Sequence, residues 1–295
     1  MTPERNRALE DTLTAAAREM RARRRSQVLP IISLAHTLNI DVCIQGLPQG
    51  EKLDAHIDLD GERPTIALYR TANIAAARRL DPEKESELTP RERFSIAHEI
   101  GHWLAFDRCG LRPHPTTDHD AYWADEKLCD TFANMLLVPD WQVDGWLAPI
   151  SAGVGIVPAQ LRRWAASARV SRPVVANAIV RRRNDIGFIQ MTSRVGEGRA
   201  SSIFVVEFST AGRDVSVPAR KTHMRDPELN LLVSDKPDGA TLMQRCRLGR
   251  CPEQALKLAW ESRSRPSSAR SPGLPATTTW LSLARPRTDQ MTLPL

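Results

Sequence analysis

The residues best placed to do chemistry lie in the run His98-Glu99-Ile100-Gly101-His102. On a helix, residues four apart share one face, so both imidazoles can reach a single metal ion. Zinc favours imidazole nitrogen, and a catalytic zinc takes three protein ligands and keeps a fourth position open. Glu99 stands beside that face, where it can take a proton from metal-activated water. A third ligand is offered 24 positions after His102 by Glu126, a carboxylate on the next predicted helix. Asp130 follows Glu126 by four residues and shares its face. It is suited to accept a hydrogen bond from the far nitrogen of a ligating His and so fix its tautomer. The other common arrangement, with a third His in H-x-x-G-x-x-H, fails because Ala105 and Arg108 stand where it needs Gly and His. The set reads as a His, His, Glu site for one Zn²⁺ per chain, with Mn²⁺ the alternative ion.

These residues need rigid elements to hold them. Thr89 is a good N-cap, Pro90 suits the first helical position and Glu92 completes a T-x-x-E capping box, so a helix is expected from there to about Phe106. Gly101 within it lets a neighbouring backbone come close to the metal face. A second helix is expected over roughly 122–138, with Leu128, Phe132, Met135 and Leu136 on one side and a stop at Pro139. The intervening HPTTDHD (114–120) reads as a connecting loop. Upstream, 4–25 reads as a solvated, charged helix. Ile31, Leu34, Ala35 and Leu38 repeat at helical spacing, 52–70 suggests two short strands around Asp60-Gly61, and 81–90 is a polar loop. Downstream, 159–183 has the outline of a helix-turn-helix joined near Val170-Ser171. Period-two stretches follow in IGFIQMTS, SSIFVVEFS and DVSVPA. Residues 262–279, rich in Ser, Pro and Arg, read as a low-complexity linker.

With 295 residues, 41% of them hydrophobic and 26% charged, the chain can bury the cores of about two domains, which excludes a disordered or disulfide-stapled polymer. No apolar run is long enough to span a membrane, and the charged N-terminus lacks the apolar core of a secretory signal. Five scattered cysteines suit reduced thiols, so a cytoplasmic protein is expected. Cys129 reads as a small buried hydrophobe, and Cys246 and Cys251 as free thiols. Charge is segregated within a net +6: residues 159–183 hold seven Arg and no acid, while 113–145 hold seven Asp/Glu and one Lys. The acidic segment suits a metal and the basic one an anionic partner, which makes Arg181, Arg182 and Arg183 candidate contacts to DNA or to a protein. Tyr122, His114, His119 and His223 are candidate donors to a developing oxyanion, and no spacing selects among them.

Two signatures in register carry a resemblance. Arg91, Phe94, Ala97 and His98 to His102 are followed by Glu126, Cys129, Asp130, Phe132, Ala133, Leu136, Leu137, Val138 and Pro139. In these positions the chain resembles the ImmA/IrrE metallo-endopeptidases, over about residues 28–140 and more loosely over 159–183. Val138 stands where Met is usual. The resemblance implies a cytoplasmic zinc endopeptidase that cuts a helix-turn-helix transcriptional repressor and so relieves repression of stress-response or mobile-element genes. It implies that His98, His102 and Glu126 bind zinc, that Glu99 is the general base and that Asp130 supports a ligand. The radiation-response members of that family carry a GAF-like sensor where this chain has its β-rich stretch.

The expected architecture is therefore α+β: a charged N-terminal helix (1–25), a zincin-like HExxH domain (26–145) and a helix-turn-helix-like segment (146–184). A mixed β-rich C-terminal module with a possible sensor role (185–261) and a low-complexity linker and tail (262–295) complete it. The competing expectation is a non-hydrolytic transcriptional regulator that binds DNA or a repressor, its zinc being structural. An intact Glu99 speaks against that, since a structural site has no use for a base.

Overall fold

The computed structural model describes residues 3–47, 54–71, 77–111, 119–151, 155–195, 202–217, 219–220, 223–225, 241–246, 254–264 and 277–284. The fold is mixed α+β and divides into two compact units. The first is Met1–Gln142 with Ala166–Ser171, and the second is Val143–Ala165 with Arg172–Leu295. Among the described residues, no helix is long and apolar enough to cross a membrane.

The first unit contains helices α1 (Pro3–Ala22), α2 (Ile31–Thr37), α3 (Pro90–Cys109) and α4 (His119–Leu137), with strands β1 (Asp41–Gly46), β2 (Ala55–Asp58), β3 (Thr65–Arg70) and β4 (Arg78–Arg79). The sheet order is β2-β3-β1-β4, with β1 parallel to β3 and the outer strands antiparallel to their neighbours. β2 forms one edge of the described sheet. Val42, Ile44, Ile57, Ile66 and Leu68 are buried, while His56, next to Ile57 in the pleat, faces the other way and is exposed.

α3 is the central helix. Thr89 Oγ1 accepts from the Glu92 amide at 3.2 Å and Glu92 Oε2 accepts from the Thr89 amide at 2.7 Å, the reciprocal pair that its sequence announced. Gly110, at φ 67°, closes the other end, its amide donating to Phe106 O. Between these caps Ile96, Ala97, Ile100, Leu104 and Ala105 are all buried. α1 is not solvated all round, as its charge suggested. Leu9, Leu13, Ala16, Ala17 and Met20 form a buried stripe along it, and it packs on α4.

The stretch 81–90 is likewise more than a polar connection. Within it a 3₁₀ turn, Pro82–Glu87, aims Glu85 inward. Its two carboxylate oxygens accept from the amides of Ile31 and Ile32 at 3.0 and 2.8 Å, capping α2, and the same group is ion-paired to fully buried Arg93. Arg169, in a left-handed conformation (φ 53°) in the turn after α6, donates to the carbonyls of Glu85, Ser86 and Leu88. Replacing Glu85 with Ala is expected to destabilise the fold by about 3–5 kcal/mol, since it strands the Arg93 charge in the interior. Denaturant titration of the metal-free protein would show this as a lower midpoint at unchanged slope, and a change under about 1 kcal/mol would contradict it.

The second unit takes in most of α5 (Asp140–Leu147) and α6 (Pro158–Ala168), all of α7 (Arg172–Arg182) and strands β5 (Ile186–Val195), β6 (Ser202–Ala211), β7 (His223–Arg225), β8 (Thr241–Cys246), β9 (Gln254–Ser264) and β10 (Thr277–Ala284). The sheet is antiparallel in the order β7-β6-β5-β10-β9-β8. α7 buries Val174, Val175, Ala178 and Ile179 and packs on β5 and β6, while Trp146 and Trp164 stack with centroids 5.4 Å apart.

Three expectations for this part of the chain need correction. Residues 214–217, in the stretch read as a strand, are turn and irregular backbone: the amides of Asp214 and Val215 donate to Asn184 O and Gly212 O rather than to a ladder. The boundary at 261/262 falls inside β9. Thr277–Ala284, read as linker and tail, is an inner strand paired on both sides. Residues 265–276 and 285–295 lie outside the described residues.

Candidate metal centre

α3 and α4 meet across Gly101. A Cβ on that residue would stand 3.1 Å from a Phe132 ring carbon and 3.3 Å from Cys129 Cβ, so the missing side chain is what lets α4 lie close to the histidine face. This closeness brings Glu126 over His98 and His102. Gly101→Leu should cost about 1–3 kcal/mol by overpacking and should also weaken metal binding, because it pushes Glu126 away from both imidazoles. Thermal unfolding together with metal titration would reveal both effects, and full metal affinity in the variant would contradict the second.

The ligand atoms converge tightly. His98 Nε2 and His102 Nε2 are 3.0 Å apart, with Glu126 Oε2 3.2 Å from the first and Oε1 3.2 Å from the second. In a tetrahedral site with bonds of about 2.0 Å, ligand atoms stand about 3.3 Å apart, so these three fit one zinc-sized ion. The donor set makes the same point. Asp130 Oδ1 lies 2.9 Å from His98 Nδ1, and a carboxylate only accepts, so that nitrogen carries the proton. In a neutral ring the His98 Nε2 lone pair therefore faces its neighbours, a placement that needs a cation or a proton between the rings. Among the described residues, His98, His102 and Glu126 are the group of His, Cys, Asp or Glu side chains that could hold a metal ion.

Without a cation, a proton serves instead. Burial disfavours charge on His98, but its hydrogen bonds to Asp130 and Glu126 outweigh this and hold its pKa up at about 10. Burial likewise disfavours the Glu126 carboxylate, yet hydrogen bonds from His102 and His98 draw its pKa well below the usual range. The Cys129 thiol, 3.5 Å from His102 Nδ1, is pushed strongly upward by burial and by the carboxylates around it. It stays a thiol and supports a ligand rather than becoming one.

Glu99 is 8% exposed, and burial raises its pKa despite the opposing pull of His102, His98 and His56. It opens onto a cavity of about 440 Å³ shared with the three ligands and Asp130, and walled by Asp54, Ala55 and His56 of the β2 segment, Phe94 and Ser95 of α3, and Tyr122 of α4. Of the four candidate oxyanion donors, Tyr122 stands in this cavity, its hydroxyl bonded to Glu126 and its pKa raised by burial and then by that carboxylate. His114 lies outside the described residues, as do the side chains of His119 and His223, and His223 belongs to the second unit. His56 and Asp54 escaped the sequence reading. The alternation around Ile57 showed only that His56 points away from the core, and not that this face borders α3.

Two of the three arginines singled out at the end of α7, Arg182 and Arg183, are ion-paired within the second unit. Arg182 Nε and Nη2 donate to Asp144 at 2.8 and 3.0 Å, and Arg183 is paired in the same two-pronged way with Asp185. The segregated charges of 113–145 and 159–183 thus neutralise each other in part through Asp144.

Fold and site together define an α+β protein with a two-histidine, one-carboxylate constellation and a buried acid beside it. No family model and no curated protein matches the chain. A solved structure, that of a Mycobacterium tuberculosis transcriptional regulator, is similar with a TM-score of 0.52 at 13% identity, over 92% of this chain and 76% of that one. At that identity the likeness is one of fold.

Proposed function

We propose that the chain is a zinc-dependent endopeptidase of zincin type that hydrolyses a peptide bond in a helix-turn-helix transcriptional repressor. The observation that carries the hydrolytic reading is Glu99: a buried carboxyl in the same cavity as three convergent ligands, itself bonded to none of them. A structural zinc is closed by four protein ligands and has no use for such a group. The repressor as substrate rests on the resemblance of residues 91–102 and 126–139 to the ImmA/IrrE signatures.

Zinc, when bound, supplies Lewis acidity, polarising the scissile carbonyl and acidifying the attacking water. Glu99 takes the proton of that water and returns it to the leaving amine; a pKa raised by burial suits a group that must do both near neutral pH. Tyr122, on the cavity wall, is the candidate donor to a developing oxyanion, its hydroxyl turning there from Glu126. Asp130 fixes the His98 ring so that Nε2 faces the site. β2, at the edge of the described sheet and on the cavity wall, offers an extended main chain alongside which a substrate segment can lie. The deciding experiment is cleavage of a purified repressor by the wild type and by Glu99→Gln.

A second reading is favoured by the name of the solved structure of similar fold: a regulator that binds DNA or a repressor without hydrolysis. If Arg181, Arg182 and Arg183 meet phosphates, their triple Ala variant should lower the salt slope of DNA binding by about 0.9 for each phosphate no longer neutralised. Two of these arginines must first leave Asp144 and Asp185. No DNA affinity at low salt would end this reading.

A further inference from the structure

We propose that the first unit binds a small organic carboxylate in a second cavity, the carboxylate held by Arg21 and flanked by Arg18 and Arg25, with its apolar body against Trp141 and Met135. This cavity, of about 250 Å³, lies between the last turn of α1 and the Pro139-Asp140-Trp141 junction, and shares no residue with the metal-ligand cavity.

Arg21 lines this cavity while being only 2% exposed. Its Nη2 donates to Ser26 O at 2.8 Å, but Nε and Nη1, equally buried, have no acceptor among the described residues. Native interiors rarely leave such donors idle, and a buried charge without a partner is more costly still. Glu85, the carboxylate of the neighbouring Arg93, is bonded to that residue and to the amides of Ile31 and Ile32, and it does not reach Arg21. Arg93 instead adds a second positive charge felt by Arg21. Burial and then Arg93 lower the Arg21 pKa to about 10, which keeps it cationic at neutral pH.

The remaining walls specify the ligand. Arg18, Arg21 and Arg25 face a single acid, Asp140, an excess of positive charge that suits an anion, while the apolar walls set an organic carboxylate apart from inorganic phosphate. Trp141 is 41% exposed, unusual for so large an apolar ring, and the Arg21 guanidinium lies 5.6 Å from its centroid. Ala17, Ala22, Met135 and Pro139 complete an apolar lining that would receive an uncharged body. The proposal is independent of whether the first cavity hydrolyses peptides.

Calorimetric titration of the full chain at fixed ionic strength with benzoate, benzamide and inorganic phosphate tests this. Benzoate should bind saturably, and benzamide (the body without the charge) and phosphate (charge without the body) at least about tenfold more weakly, the loss expected of one charge-assisted contact. Arg21→Met should abolish benzoate binding. Because that site is buried, the exposed double variant Arg18→Gln/Arg25→Gln provides the second arm, with about tenfold weaker binding and an unchanged unfolding curve expected. Benzamide or phosphate binding as tightly as benzoate, undiminished benzoate binding by the double variant, or no binding of any probe would each overturn the proposal.

Discussion

Glu99→Gln is expected to slow peptide hydrolysis by about 10²–10⁴-fold, the contribution typical of a positioned general base. The substitution keeps the size and shape of a side chain that is 8% exposed, so the packing of α3 should hold. Glu99 makes no bond to the ligand atoms, so one zinc per chain should remain. Gln cannot accept a proton from water, and that loss alone should account for the fall. Cleavage rate and metal content measured on the same preparation separate the effects. Full activity at full metal occupancy would remove Glu99 from the chemistry. A regulatory effect in cells that survives this variant would favour the non-hydrolytic reading.

Glu126→Ala should remove the metal. Loss of a residue that merely supports a ligand weakens affinity by about 10–100-fold, so loss of a ligand should exceed the upper figure, with Asp130→Asn falling inside the range. The site should also bind metal with a marked proton linkage. His98 in the metal-free protein holds its proton up to about pH 10, against an ordinary value of 6.5. Metal binding at pH 8 therefore has to expel that proton, and apparent affinity should climb with pH until about 10. Calorimetry in two buffers of different ionisation enthalpy reads the proton directly, and a release near zero in the wild type would contradict the linkage. Metal-free stability carries the matching signs. The raised pKa of His98 contributes stability present in full below pH 6.5 and lost as pH rises through about 10. The depressed pKa of Glu126 contributes stability present above the ordinary carboxylate value and lost as pH falls through the folded one.

What could be read in advance was local. The Thr89–Glu92 cap, the four-residue spacing of His98 and His102, the opening at Gly101, and the Glu126–Asp130 pair each depend on residues within a turn or two of helix. Their meeting depends on two helices long enough to hold the pattern. What was hidden depends on distant chain. Glu85 looked like one acid among several in DPEKESELTP, and only the fold makes it the cap of α2 and the partner of Arg93. His56 and Asp54 reach the cavity because β2 lies along α3, a neighbourhood that no period announces. The charges of α1 mask a buried stripe built partly of small residues, Ala16 and Ala17, between Leu13 and Met20. β10 is hidden because the composition of the surrounding segment, rich in Ser, Pro and Arg, outweighs the short run Thr277–Ala284.

That strand imposes an order on biosynthesis. β5 leaves the ribosome about ninety residues before β10, its inner neighbour, so until residues 277–284 emerge β5 carries an open flank and β9 has only β8 to pair with. Contacts of such long sequence separation form late and slowly, and unpaired strand flanks invite pairing with other chains meanwhile. A stop codon or a protease cut before Thr277 would therefore do more than shorten a tail. It would leave two further unpaired flanks, on β5 and β9, in place of a continuous ladder, and the shortened product should be found in inclusion bodies or in the hands of chaperones.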